Sequence, residues 1–235
     1  MQRADSVLRW LGAVGITLAP LGIFVLPTLI NPETHETAEE QFRAIAEGST
    51  NGYPAQLMQI AGAVFFMAAV LGIGGYTIAR GRGRTLGAIG LITGMVGAIS
   101  LLVVLGFELA LLIVLIDTPD TDAAVNLVAA TYDGPEFITL LLVGLGGFFL
   151  TLPILGLALW RSRVVPIIVP LLFALPLLVN LVPLPASVSS TIPSLLLLVP
   201  CVWMAVQLIR DVPGGVRPIA TATAPPAAQK DEVDT

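Results

Sequence analysis

Residues 85–116 read TLGAIGLITGMVGAISLLVVLGFELALLIVLI, a stretch in which Glu108 is the single ionisable side chain. A helix needs about 20 apolar residues to cross a hydrocarbon core of roughly 30 Å, so this stretch is longer than one crossing requires. In lipid the backbone must pair its own polar groups, and an isolated helix does this where an open strand does not. The stretch therefore predicts a long transmembrane helix that carries one carboxylate.

The whole chain has the composition of a membrane protein. Of its 235 residues, 56% are hydrophobic and 11% are charged, whereas a soluble domain carries roughly 25% charged residues. We predict an all-α, polytopic membrane protein with a six-helix transmembrane domain over 1–210. The Pro-, Ala- and Thr-rich residues 211–235 are expected to form a disordered cytoplasmic tail. The six predicted spans cover about 7–30, 54–79, 85–116, 136–160, 164–182 and 192–209.

The basic residues give the expected orientation. With both termini in the cytoplasm, ten of the eleven Lys and Arg residues lie inside and only Arg43 lies outside, which satisfies the positive-inside rule. The opposite loops are acidic. This pattern predicts a multi-pass protein of the plasma (inner) membrane with both termini cytoplasmic. Five arginines in the inner turns set this topology and are also placed to meet lipid headgroups: Arg80, Arg82, Arg84, Arg161 and Arg163.

The two long outer loops are each expected to contain a short amphipathic helix. In residues 37–48, Thr37 and Glu40 match a capping box and Phe42 lies on the apolar face. In residues 120–134, Val125 and Val128 share a face. Shifting the chain by 81 residues also superposes the arginines of the two inner turns. A duplicated helical hairpin and a chance similarity between arginine-ended helices both remain open.

Glu108 is the only ionisable residue well inside any predicted span. Insertion scales assign a central carboxylate about +2.5 to +3.5 kcal/mol, so it is expected to face protein or water. At about 100° per residue, the helix places three glycines on the same side as Glu108, in a small-xxx-small pattern typical of close helix packing. These glycines are Gly90, Gly94 and Gly97.

The partners and the depth of Glu108 are less determined. Candidate hydrogen-bond partners are Asn180, Gln59 and Ser100, which with Glu108 form the candidate intramembrane functional set. Counted from the acidic end of the span, the carboxylate lies roughly 13 Å below the outer boundary. Counted from the other end, it lies near the outer interface. Both depths are open.

No motif assigns this chain to a family or a reaction. The sole histidine, His35, lacks the second histidine of a metallopeptidase helix. The sole cysteine, Cys201, excludes an internal disulfide and a multi-cysteine metal site. There is no phosphate-binding loop and no nucleophile elbow. We expect no catalytic residue, no metal ligand, no cofactor and no nucleic-acid binding.

Three classes of function remain. The favoured one is a non-enzymatic structural or interaction subunit, whose partners are the lipid bilayer and either a second copy or another membrane protein. The alternative is a small proton- or cation-coupled transporter or channel that uses Glu108. The third is a membrane enzyme acting on lipid-linked substrates, which ranks last because no nucleophile and base are arranged together.

Overall fold

The computed structural model describes residues 2–31, 40, 42–44, 51–118, 121–175 and 186–211, with the side chains of 2–4, 121 and 186–191 outside the description. All regular secondary structure within these residues is helical. Five helices are long and apolar enough to cross a membrane. They are Asp5–Ile30, Gly52–Arg80, Arg84–Asp117, Pro135–Arg161 and Ile192–Arg210. This confirms the prediction of a helical chain of multi-pass type. The predicted span 164–182 is described only as far as residue 175, and the predicted tail beyond Asp211 lies outside the described residues.

Seven helical elements follow one another along the described chain. Pro20 has no amide hydrogen to continue the α-helical ladder, and the first helix widens into a π-helical turn immediately after it. We number the elements α1 (Gln2–Pro20, with the π turn Leu21–Val25 and a last turn Leu26–Ile30), α2 (Gly52–Arg80), α3 (Arg84–Asp117), α4 (Thr121–Tyr132), α5 (Pro135–Arg161), α6 (Ile168–Leu172) and α7 (Ala186–Arg210).

The long helices form one bundle. Helix α2 packs between α1 and α3, α5 packs along α3, and α7 packs along α1. Its core is apolar and includes the fully buried side chains of Phe66, Phe148 and Met204. Large hydrophobic side chains such as Ile92 and Leu142, each 65% exposed, point away from the core. This outward apolar surface suits a lipid environment.

Glycines allow the helices to approach closely. A Cβ atom built on Gly97 of α3 would lie 2.8 Å from the Cα of Gly147 in α5. One built on Gly22, in the π turn, would lie 2.6 Å from the Cα of Gly62 in α2. Membrane helices associate mainly through packing rather than hydrophobic exclusion, so contacts of this kind are a main source of bundle stability.

Helix α3 is longer than the bundle requires and carries a second hydrophobic cluster at its far end. Its 34 residues extend about 51 Å, against a hydrocarbon core of roughly 30 Å. The buried face of α4, including Val125 and Val128, packs on leucines of the last turns of α3. Phe42, which lies between α1 and α2 in the chain, joins them; the rest of the predicted helix 37–48 is described only at residues 40, 43 and 44. We call the assembly the cap: Phe42, Leu111, Leu112, Leu115 and α4.

Candidate functional site

Glu108 lies at the cap end of the bundle, where side chains from three helices converge. The Nε2 atom of Gln56, in the second turn of α2, donates to Glu108 Oε2 at 2.8 Å and to the carbonyl oxygen of Leu105 at 2.9 Å. The hydroxyl of Tyr132, the last residue of α4, forms a second hydrogen bond with the Glu108 carboxylate. One carboxyl group therefore joins α3 to α2 and to α4.

The donors around Glu108 are neutral. Gln56 is buried, with 8% of its surface exposed, and Glu108 is half-buried. Burial raises the pKa of the Tyr132 phenol, and the neighbouring Glu108 raises it further, so the hydroxyl keeps its proton and acts as a donor. A buried polar group is tolerated when it is hydrogen-bonded. Here the Gln56 amide and the Tyr132 phenol donate hydrogen bonds to the Glu108 carboxylate.

Aromatic contacts fix the position of Tyr132. Its ring centroid lies 5.0 Å from that of Phe42 and 4.5 Å from that of Phe137, near the start of α5. Because Phe42 lies in the loop that connects α1 to α2, the Tyr132 ring joins that part of the chain to α4 and α5. On the surface, Arg43 and Asp122 form an ion pair at 3.0 Å that joins the same loop to α4.

Of the three predicted hydrogen-bond partners of Glu108, two lie within the described residues. Gln56 donates the amide, while Gln59 is half-buried three residues further along α2. Ser100 is half-buried about two turns before Glu108 on α3. Asn180 lies outside the described residues. The carboxylate is thus held by Gln56, one turn away from the predicted Gln59, and by Tyr132, which the sequence analysis did not indicate.

The three glycines predicted to lie beside Glu108 are buried in α3. A Cβ on Gly90 would meet Leu155 of α5 at 2.6 Å, and one on Gly94 would meet Val70 of α2 at 2.5 Å. Together with Gly97, they form a face of α3 against both neighbouring helices. Glu108 sits about three turns beyond this face, at the level of the second turn of α2.

The opposite end of the bundle holds a second polar cluster. Arg80, at the end of α2, forms an ion pair with the side chain of Asp211, and its guanidinium lies 5.3 Å from the centroid of the Tyr76 ring. The Tyr76 hydroxyl donates to the same Asp211 carboxylate at 2.5 Å. Arg9 of α1 donates to the backbone carbonyl of Asp211. We call this end, where α2 and α7 both finish, the arginine end.

The described residues contain no group of three or more His, Cys, Asp or Glu side chains placed to hold a metal ion. Comparison with protein families, with curated protein sequences and with solved structures finds no match for this chain. The geometry of Glu108 and the cap is therefore the basis for assigning a role. That geometry is a hydrogen-bonded junction between the long helices and the short helix α4.

Proposed function

We propose that this chain is a non-enzymatic structural or interaction subunit of the inner membrane, whose six-span bundle holds the cap in a fixed position for a partner. The observation that carries the proposal is the hydrogen bonding of Glu108 to Gln56 and Tyr132. Because side chains of α2 and α4 both donate hydrogen bonds to this carboxylate of α3, it links the three helices. Polar networks of this kind rigidify a structure when every member is paired.

The positions of the chain ends support six spans. Arg9, near the start of α1, contacts Asp211, just after the end of α7, so the first and last helices have these ends at the same side of the bundle. An odd number of crossings would separate them. Helix α7 has 25 residues, or about 37 Å, so we infer a further crossing between Arg161 and Ala186. We propose that the predicted span 164–182 supplies it.

The described part of this segment fits such a crossing. Val169 and Phe173, in and after α6, are buried in the bundle core. A Cβ on Gly156 of α5 would lie 3.1 Å from Pro170 of α6, so the two helices are in close contact. With six spans, the positive-inside rule puts the arginine end and both termini in the cytoplasm and the cap outside.

The surface of the cap end supports an interaction role. Its exposed ionisable residues in the described part are acidic except for Arg43, and an acidic surface attracts basic partners and cations through its field. Leu127, on the outward side of α4, is 57% exposed. We therefore expect a partner with a basic surface that also covers Leu127. The acidic residues are Glu40, Asp117, Asp122, Asp133 and Glu136.

The transporter alternative predicts a proton flux that Glu108→Gln abolishes, since glutamine keeps a hydrogen-bonding group but cannot titrate. Our proposal predicts no such flux. In proteoliposomes containing a pH-sensitive dye, with an imposed potential or Na⁺ gradient, we expect wild-type and Glu108→Gln protein to give the proton flux of protein-free vesicles. Glu136→Gln, an exposed acid at the same end, is the matched control. A wild-type flux that Glu108→Gln abolishes and Glu136→Gln retains would establish the transporter and refute our proposal.

A further inference from the structure

A cleft with a volume of about 730 Å³ opens at the arginine end. It lies between the turn that joins α2 to α3 and the turn that follows α5. Its lining contains four arginines, two in or next to each turn: Arg82, Arg84, Arg161 and Arg163. The two turns are far apart in sequence, so the fold brings these side chains together.

The two turns are fastened to each other by backbone contacts. The Ser162 hydroxyl donates to the carbonyl oxygen of Arg82. Gly83 has φ +80°, and a Cβ built there would lie 2.5 Å from the carbonyl oxygen of Ala158, so a larger residue does not fit. Arg163 itself has φ 61°, in the left-handed region that non-glycine residues seldom adopt. Such backbone conformations cluster at functional sites.

The positive charge of the cleft is not neutralised within the described part of the chain. The ion pairs found there join Arg43 to Asp122 and Arg80 to Asp211, and none involves the four cleft arginines. Helix α3 also begins at this cleft, with Gly83 as its N-terminal cap and without a side-chain cap. The dipole of this 34-residue helix adds to the attraction for an anion.

We propose that this cleft binds a phosphate ester, carried either by an anionic phospholipid headgroup or by a soluble phosphorylated molecule. Guanidinium groups match phosphate oxygens through paired hydrogen bonds, and four of them around one opening favour phosphate over a single carboxylate. Turns between membrane-spanning helices lie at the level of the headgroups, which places the cleft where such a lipid is abundant. The positive-inside rule requires only that arginines be present in these turns. It does not explain why four of them line one cleft.

Binding can be measured on the full-length protein in neutral detergent. The probes are phosphatidylglycerol, zwitterionic phosphatidylcholine and inorganic phosphate, followed by native mass spectrometry and thermal unfolding. We expect phosphatidylglycerol to bind at least tenfold more tightly than phosphatidylcholine. The double variant Arg82→Gln/Arg163→Gln should lose at least tenfold of that affinity. Arg210→Gln removes an exposed arginine at the same end but outside the cleft, and should stay within twofold of wild type.

A second variant is needed in case Arg82→Gln/Arg163→Gln does not insert correctly into the membrane. Arg82→Lys/Arg163→Lys keeps the charge that sets topology but lacks the planar guanidinium that donates two parallel hydrogen bonds. It should bind phosphatidylglycerol at least threefold more weakly than wild type. If millimolar inorganic phosphate displaces the lipid, the natural ligand is a soluble phosphorylated molecule. If it does not, the ligand is a phospholipid headgroup. Equal binding of both lipids with no effect of phosphate would overturn the proposal. So would a double variant that behaves like Arg210→Gln.

Discussion

Replacing Gly147 by alanine is expected to destabilise the bundle strongly, whereas the same change at the adjacent Gly146 is not. A Cβ on Gly147 would lie 2.5 Å from the Cα of Gly97, and this backbone atom cannot move aside as a flexible side chain can. Helices α3 and α5 must then separate, and overpacking of this kind costs about 1–3 kcal/mol. At Gly146 a Cβ meets no atom within 4 Å.

The pair of variants isolates the packing effect. Both exchanges lie in the interior of α5 and gain the same helix propensity, about 1 kcal/mol, so this contribution cancels in the comparison. We expect Gly146→Ala to unfold at or above the wild-type temperature in detergent, and Gly147→Ala several degrees below it. Equal unfolding temperatures for the two variants would show that α3 and α5 do not cross at Gly97 and Gly147.

Replacing Asp211 by alanine is expected to cost about 2 kcal/mol of unfolding free energy. The Asp211 carboxylate accepts from the Tyr76 hydroxyl and pairs with Arg80, and it is largely shielded, with 24% of the side chain exposed. Hydrogen bonds to charged groups contribute about 1.5–3 kcal/mol each in net terms. The loss should loosen the end of α7 relative to α2, because these contacts join Asp211, the residue after α7, to the last turn of α2.

The control for Asp211 is the other described ion pair. Asp122 pairs with Arg43 at 3.0 Å, but 73% of the Asp122 side chain is exposed. Solvent-exposed pairs typically contribute about 0–1 kcal/mol, so Asp122→Ala should change the unfolding free energy by less than Asp211→Ala. Denaturant titration of both purified variants measures the difference. A larger loss for Asp122→Ala would contradict the arrangement at the arginine end.

Hydropathy predicted most of the described fold. Five of the six apolar stretches correspond to long helices. The glycine face of α3 could be derived from the helical period alone, because packing in membranes selects small residues on one side. The period could not choose between Gln56 and Gln59. Residues three apart differ by about 60° around a helix, so both amides face the same general direction. Only the relative height of α2 and α3 selects Gln56.

The cap needed information that local sequence does not contain. The apolar face of α4 was predicted, but its partner was not, since an amphipathic helix fits a membrane surface as well as a protein surface. The partner is the far end of α3, whose leucines lie within one continuous apolar stretch of the sequence. Tyr132 carried no distinctive signal either. Its contact with Glu108 joins residues from two different helices and depends on how α4 lies on α3.

Hydrogen–deuterium exchange of α4 tests most directly whether Glu108 fastens the cap to the bundle. The experiment compares residues 121–132 in wild-type protein and in Glu108→Leu, both in lipid nanodiscs, with residues 70–80 at the arginine end as an internal reference. Leucine keeps apolar bulk but cannot accept from Gln56 or Tyr132, so we predict at least tenfold faster exchange across α4 and unchanged exchange in the reference segment. Exchange in α4 that is the same in both proteins would contradict the account.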